Sequence, residues 1–192
     1  MSDDVFRAPK GTLDILPPES NRWEQLVAMF AARADRYGYG LLVSPMFEHL
    51  EVFLRVGAST DVVRKEMYTF EDRGGRRFAL RPEGTASAVR AFVEHHPTPP
   101  WKVWYIGPHF RAERPQKGRY RQHFQFGIEA IGTDDPDVDV EIIALAYGFI
   151  REVGLQKFRL LLNSMGDEAT RDAYAQVLLD YWERHAAVLG DE

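Results

Sequence analysis

The chain has 192 residues, of which 45% are hydrophobic and 28% are charged, and its formal net charge is −5 at pH 7. This length and composition allow one domain with a buried core, and the beginning of another, and they exclude a disordered tail or a small stapled module. The absence of cysteine excludes disulfides, thiolate metal sites and a cysteine nucleophile, and it fits the reducing cytoplasm.

No apolar run approaches the length of a membrane span, and the first ten residues lack the apolar stretch of a signal peptide. We therefore expect a soluble, cytoplasmic protein with no membrane partner. The acidic balance also argues against indiscriminate coating of nucleic acid, because that work needs a broad basic surface. If the protein binds a polyanion, we expect a local basic segment to bind it.

The amino-terminal part of the chain predicts one long amphipathic helix. Apolar residues recur at helical spacing from Ser20, a candidate N-cap, to Tyr37, and Gly38 stands where it can end the helix. Shorter elements follow in the order strand, helix, hairpin and helix. They are Leu41–Val43, His49–Arg55, the pair MYTFED and RRFALRPE around Arg73–Gly75, and Ala86–His95.

The carboxyl-terminal part predicts a second hairpin. Trp101–Glu113 and Tyr120–Ile131 are rich in aromatic and β-branched residues and are joined by a short turn, so they should pair antiparallel. A helix over Asp137–Val153, a strand over Lys157–Asn163 and a helix over Gly166–Ala187 follow. Strands clustered in hairpins, with helices between them, predict an α+β fold in which helices flank an antiparallel sheet.

The turn of the second hairpin concentrates positive charge. Five basic residues lie from Arg111 to Arg121, and only Glu113 opposes them. For an arbitrary basic turn, a solvated tip that resists aggregation is the favoured interpretation. The alternation of side chains along a strand, however, puts six polar or small residues on one face. They are Arg119, Arg121, His123, Gln125, Gly127 and Glu129.

Such a polar face would be costly to bury unless a ligand hydrogen-bonds to it, and arginines favour an anionic ligand such as a phosphate. On the same face, Gln125 and Glu129 could instead contact a cationic or hydrogen-bonding small molecule. Gly127 has no side chain, so we expect it to leave room for a ligand to approach the backbone. The face thus offers both halves of a two-substrate site.

Three ordered motifs carry a resemblance to a known family. They are Lys10-Gly-Thr-Leu-Asp with the long helix and Pro45, Leu80-Arg-Pro-Glu-Gly-Thr-Ala, and the segment Arg111–Arg121. They resemble the first motif with its dimer-forming region, the amino-acid-binding segment and the second motif of histidyl-tRNA synthetases, a class II aminoacyl-tRNA synthetase family. The resemblance runs from about Pro9 to the last helix. It implies that residues 1–192 are the amino-terminal portion, with motifs 1 and 2, of an incomplete class II catalytic domain, and that motif 3 and the anticodon-binding domain are absent.

By this resemblance, the second motif would hold ATP. Arg111, the catalytic residue, would contact the ATP α-phosphate and the histidine carboxylate, with Glu113 near the adenine and Arg119 toward the distal phosphates. The family normally has a phenylalanine, stacked on adenine, four residues after Arg119, where this chain has His123. Imidazole can also stack, so we keep His123 as an ATP-binding residue. Phe124 could replace it only if the strand carried a bulge.

The resemblance also assigns the amino-acid site. Glu83, Thr85 and Gln125 would bind the α-amino group of L-histidine, and Glu129 would meet its imidazole. A carboxylate that faces an imidazole N–H selects for histidine, because an amino acid without that donor leaves the buried charge unpaired. Glu83 and Thr85 also stand where a helix begins, and capping of that helix is compatible with ligand binding.

The implied activity is that of an ATP-dependent ligase. The parent enzyme would activate histidine with ATP, as its Mg²⁺ complex, to histidyl-adenylate and transfer it to tRNA(His), acting as a homodimer; this chain alone is expected to be inactive. The alternatives are a non-catalytic, synthetase-like regulatory subunit of ATP phosphoribosyltransferase in histidine biosynthesis, and a plain dimerisation module. No protein-bound metal is expected, since the adjacent His95 and His96 diverge and the sequence has no HExxH or cysteine partner.

Overall fold

The fold is described by a computed structural model over residues 6–57, 66–163 and 166–186. The chain divides into two compact units, residues 1–155 and 156–192. The described part of the first unit contains two small sheets with helices around them, and that of the second contains one helix. Within these ranges, no helix has both the length and the apolar character that are needed to cross a bilayer.

The first unit contains four helices and six strands in its described part. In chain order they are α1 (Glu19–Arg36), β1 (Gly40–Leu41), β2 (Phe47–His49), α2 (Leu50–Gly57), β3 (Thr69–Glu71), β4 (Arg77–Leu80), α3 (Thr85–His95), β5 (Trp101–Phe110), β6 (Gln122–Ile131) and α4 (Pro136–Glu152). The sheets have the strand orders β1-β5-β6 and β2-β4-β3, and every neighbouring pair is antiparallel except β1 with β5. The predicted α+β class is confirmed, although two sheets replace the single one expected.

A core on one side of the long β5–β6 hairpin fixes α1 and α4 against the sheet. Its buried members come from these helices, the turn after α1, and β5: Phe30, Ala34, Tyr39, Trp104 and Leu145. The ring of Phe30 lies 4.8 Å from that of Phe126 on β6 and 4.9 Å from that of Phe149 on α4. Because side chains alternate along a strand, packing the apolar ones here leaves the polar ones to the opposite face.

A second core joins the smaller sheet to α2 and α3. It consists of Leu50, Phe53, Ala79 and Ala86. The two sheets meet where β4 ends, because the N–H of Phe110 on β5 donates to the carbonyl oxygen of Arg81 at 2.9 Å. This contact brings the segment that leads into α3 to the end of the long hairpin.

The structure differs from the sequence predictions at several elements. The helix α1 begins at Glu19 with Pro18 at the N-cap position, whereas Ser20 was predicted as the cap. Ser20 is already inside the first turn, since its N–H donates to the carbonyl oxygen of Leu16 at 3.0 Å.

The strand predicted over Lys157–Asn163 is wrong, because this segment joins neither sheet of the described chain. An apolar run becomes a strand only when a neighbouring strand completes its hydrogen bonds.

The helix of the second unit, α5 (Glu168–His185), starts slightly later than the predicted Gly166. Its N-cap is Asp167, whose carboxylate accepts a hydrogen bond from the N–H of Thr170 at 2.8 Å. This is the side-chain capping that a helix start favours. The described residues of α5 include no buried side chain.

The core beneath the long hairpin gives a direct stability test. Leu145→Ala should lower the free energy of unfolding by about 2–5 kcal/mol, because the side chain is fully buried and its truncation leaves a cavity. Val140→Ala, on the same helix but 63% exposed, should change it by less than about 1 kcal/mol. Urea unfolding measures both values. Equal losses in the two variants would contradict the assignment of the core.

Candidate active site

The face of the β5–β6 hairpin opposite the core, which we call the open face, carries alternate side chains from both strands. Its cross-strand pairs are Val103 with Glu129, Tyr105 with Gly127, Gly107 with Gln125, and His109 with His123. The basic loop over residues 111–121 follows where this ladder ends. The open face therefore has a carboxylate end at Glu129 and a middle at Gln125 and His123. The loop beyond the last pair adds Arg111 and Arg119, and we call this the arginine end.

The strand register decides between His123 and Phe124. The ladder passes without a bulge through His109 opposite His123 and Pro108 opposite Phe124. Phe124 therefore belongs to the core face, where its ring lies 4.6 Å from that of Trp23 on α1. His123 is the ring on the open face, as the alternation predicts.

The space over Gly127 is filled by Tyr105, so the prediction that Gly127 leaves room for a ligand is wrong. A methyl group at Gly127 would collide with the Tyr105 ring, and so would one at Gly84. The ring is thus held between two glycines, and its hydroxyl donates to Oε1 of Glu129 at 3.2 Å. Burial and then the charge of Glu129 raise the pKa of Tyr105 well above its ordinary value, so the hydroxyl keeps its proton. The sequence signal for Tyr105 was an aromatic residue directly opposite a glycine in the hairpin register.

Glu129 is a half-buried carboxylate held by two hydroxyl groups. Its Oε1 accepts a hydrogen bond from Oγ1 of Thr85 at 2.8 Å as well as the one from Tyr105. Burial raises the pKa of Glu129 above its ordinary value, and the two hydroxyl donors act in the opposite direction. Both donors meet one oxygen atom, so within the described part of the chain these bonds leave the other oxygen able to accept a further hydrogen bond.

Glu83 fixes the position of Thr85 by capping α3. Its carboxylate accepts hydrogen bonds from the backbone N–H groups of Thr85 at 2.6 Å and Ala86 at 3.0 Å. A carboxylate at this place also suits the positive end of the helix dipole. The predicted capping is confirmed for Glu83, whereas Thr85 is the first helical residue after the N-cap Gly84 and uses its hydroxyl on Glu129. The structure thus brings Glu83, Thr85 and Glu129 together.

The middle of the open face is shaped by Arg81, which sequence reasoning missed. Its guanidinium lies over Gly107, where any side chain would collide with it. It donates to the carbonyl oxygen of Pro108 at 2.9 Å and to Oγ of Ser44 at 2.9 Å, and it is only 5% exposed. Beside it, the buried Oε1 of Gln125 has no hydrogen-bond partner among the described residues. A buried acceptor without a donor is costly, so this atom suits a ligand donor.

His109 and His123 face each other with their ring centroids 6.0 Å apart. His109, which the sequence did not single out, is fully buried, and its Nδ1 lies 2.9 Å from the carbonyl oxygen of Gly107. Burial, aided by the charge of Arg81, lowers the pKa of His109 to about 4. Burial and then the charge of Arg111 lower the pKa of His123 as well, so both rings are neutral at pH 7. In the described ranges, no three His, Asp or Glu side chains are grouped to hold a metal ion.

At the arginine end, one carboxylate lies between two guanidinium groups. Glu113 forms an ion pair with Arg119 and lies 3.9 Å from a terminal nitrogen of Arg111. The Nε of Arg111 donates to the carbonyl oxygen of Pro82 at 3.1 Å, which fixes the direction of its side chain. A pocket of about 270 Å³ opens beside Glu113 and Arg119. Both arginines and the carboxylate thus lie together.

Comparison with known proteins agrees with this geometry. A family model described as histidyl-tRNA synthetase matches residues 11–166. Histidine–tRNA ligases of Geobacillus sp. (strain WCH70) and Bacillus subtilis (strain 168) are 52% and 51% identical to the chain, over 93% of its length. The chain covers 44% and 43% of those two proteins. It therefore spans less than half the length of these curated relatives.

Solved structures give the same result for the fold. Apo histidyl-tRNA synthetase of S. aureus matches with a TM-score of 0.76 and 38% identity, over 93% of this chain and 43% of that one. A Bacillus halodurans C protein described as an ATP phosphoribosyltransferase regulatory subunit/histidyl-tRNA synthetase matches with a TM-score of 0.73, over 97% of this chain and 52% of that one. Its identity is only 23%, so that likeness concerns the fold alone.

The long antiparallel hairpin, with its arginine-bearing loop and the capped segment beside it, defines a fold like that of class II aminoacyl-tRNA synthetase catalytic domains. Within that class, the chain belongs to the histidyl-tRNA synthetase family. The curated relatives favour this family over the synthetase-like regulatory subunit, since they carry the name histidine–tRNA ligase at about half identity.

The buried histidine of the open face predicts a pH dependence of stability. Unfolded His109 takes up a proton near pH 6.5, whereas folded His109 does so only near pH 4, so stability falls as the pH drops through this window. Between pH 7.5 and pH 5, wild type should lose about 2 kcal/mol more unfolding free energy than His109→Met. Urea unfolding at both values measures the difference. His95→Gln, at an exposed position, should behave as wild type, and an equal pH loss in His109→Met would contradict the burial argument.

Proposed function

We propose that the protein that carries this chain activates L-histidine with ATP to histidyl-adenylate and transfers the histidyl group to tRNA(His). The observation that carries the proposal is the open face, which presents a held carboxylate at one end and two arginines at the other. The chain would be the amino-terminal portion of the catalytic domain, with its motifs 1 and 2. ATP would enter as its Mg²⁺ complex, which belongs to the substrate.

Glu129 would select histidine by accepting the imidazole N–H. The hydroxyl groups of Thr85 and Tyr105 support this role, because they fix one carboxylate oxygen and orient the group before a ligand arrives. Burying a carboxylate costs solvation free energy, and only a hydrogen-bond donor that meets the carboxylate offsets that cost. An amino acid without an N–H at this place would leave the charge unpaired and bind weakly.

The α-amino group of histidine would be bound by Glu83, Thr85 and Gln125. The unpartnered Oε1 of Gln125 supports this role, because an ammonium group brings three donors and this atom has none among the described residues. Glu83 adds a negative charge whose position is fixed by two backbone N–H groups of α3. The charge of Glu83 and the hydrogen bond to Gln125 would therefore both favour the α-amino end of histidine.

Arg111 would bind the α-phosphate of ATP and the carboxylate of histidine. In adenylation, a carboxylate oxygen forms a bond to the α-phosphorus while the bond to pyrophosphate breaks, and negative charge develops on the phosphoryl oxygens. A guanidinium already fixed by the carbonyl oxygen of Pro82 stabilises that charge without reorganising. Arg119 would turn from Glu113 toward the distal phosphates. Glu113 would then contact the adenine, and the neutral ring of His123 would stack on that base.

A homodimer through α1 and residues 41–45 is part of the proposal. The strand β1 is the edge of its sheet, and the apolar side chains of Leu41 and Val43 are 58% and 83% exposed. A cavity of about 500 Å³ lies between residues 42–45 and α3. Exposed apolar edges of this kind are usually covered by a partner. A protein that charges tRNA(His) would act in translation, and we expect it in the cytoplasm.

The selectivity of Glu129 can be tested in the full-length protein. Glu129→Gln should raise the KM for histidine about a hundredfold, because a charged acceptor is lost from a half-buried site, and change the KM for ATP less than about threefold. Histidine-dependent exchange between ATP and pyrophosphate measures both constants. The matched control is Glu141→Gln, whose carboxylate is held by Lys102 and Tyr39 on the core side of the fold. An equal rise in the KM for histidine and the KM for ATP in Glu129→Gln would contradict the proposed role of Glu129.

A further inference from the structure

A tight turn near the amino terminus, residues 9–12, is bonded to the base of the basic loop. The turn is closed by Thr12, whose N–H and Oγ1 both donate to the carbonyl oxygen of Pro9, at 2.9 Å and 2.8 Å. The carbonyl oxygen of Gly11 accepts the N–H groups of Arg121 at 2.8 Å and Gln122 at 3.2 Å. These are the residues at which the loop ends and β6 begins.

The hydrogen bonds continue from the turn to the arginine end. Arg121, whose N–H donates to Gly11, also accepts the N–H of Arg111 at 2.9 Å on its own carbonyl oxygen. Gly11, Arg121 and Arg111 therefore lie side by side as three bonded backbone segments. The β5–β6 ladder has already ended at Phe110 opposite Gln122, so the turn supports the hairpin where the ladder no longer does.

Only glycine fits the contact point of the turn. Gly11 has φ +88°, a conformation that side-chain-bearing residues rarely adopt. A Cβ there would lie 2.9 Å from Cγ of Arg121 and 2.9 Å from Cγ of Pro115, both in the basic loop. Any side chain at this position would therefore push directly against the loop that carries Glu113 and Arg119.

We propose that Gly11 is a positioning residue for the nucleotide end of the site. It does not touch the substrates; through the turn at 9–12 it holds the loop with Arg111 and Arg119 in the place where phosphates would bind. This inference rests on the proposed function. The proposal also predicts that the two substrates are affected differently, because Glu129 lies seven residues of extended strand, about 23 Å, from Gln122, where the loop ends. Loosening the loop should therefore weaken ATP binding, which would use Arg111, Glu113 and Arg119, more than histidine binding, which would use the loop only through Arg111.

The test uses the full-length protein, with MgATP and L-histidine titrated separately by calorimetry. In Gly11→Ala the loop is in place for a smaller fraction of the time, and the apparent Kd for ATP rises in inverse proportion to that fraction. We expect a rise of about tenfold for ATP, as loss of two backbone hydrogen bonds implies, and a clearly smaller rise, of less than about threefold, for histidine, which would meet the loop only through Arg111. Gly75→Ala is the matched control, since Gly75 has φ +76° with nothing within 4 Å of an added Cβ. It should leave both Kd values unchanged.

A second variant guards against misfolding of Gly11→Ala. A protein that begins at Leu13 lacks the turn altogether and should show the same selective loss of ATP affinity. If the wild type binds neither ligand, the proposed function fails. If the wild type binds both, the inference is overturned when the variants bind ATP with the wild-type Kd, or when they lose ATP and histidine affinity equally.

Discussion

The antiparallel ladder between β5 and β6 determines where the candidate ligand-binding side chains of these strands lie. Ten consecutive pairs, from Trp101 opposite Ile131 to Phe110 opposite Gln122, run without a bulge. A shift of one residue would exchange the two faces and put the phenylalanines of β6 where the polar side chains are. Packing of Phe126 against Phe30 therefore fixes the core and, by the same register, sends Gln125 and Glu129 to the open face.

Glycines on this hairpin and beside it make room for the protein's own side chains. Tyr105 occupies the space over Gly127, and the guanidinium of Arg81 occupies the space over Gly107. Both groups then act on their neighbours: the Tyr105 hydroxyl holds Glu129, and the Arg81 charge contributes to keeping His109 neutral. The electrostatics of the open face are thus set by groups packed onto it from the same chain, and a ligand would meet a surface that is already ordered.

The sequence predicted the elements whose pattern is local and missed what depends on pairing across the chain. The long hairpin, the polar face of β6 and the capping role of Glu83 follow from alternation and from the place where a helix starts. The strand over Lys157–Asn163 failed because a strand depends on a neighbour that its own residues do not specify. Tyr105 and Arg81 were missed for a related reason, since their importance lies in glycines that face them from other segments.

Hydrogen–deuterium exchange of the full-length protein, with each ligand alone, tests most directly whether the two ends of the open face bind different substrates. We expect L-histidine to slow exchange in peptides that cover residues 83–86 and 127–130, around the cluster of Glu83, Thr85 and Glu129. MgATP should instead slow exchange over residues 112–123, beyond Arg111, which would meet both substrates. Protection of the same peptides by both ligands, or no protection of the hairpin by either, would contradict the division of the open face into a histidine end and a nucleotide end.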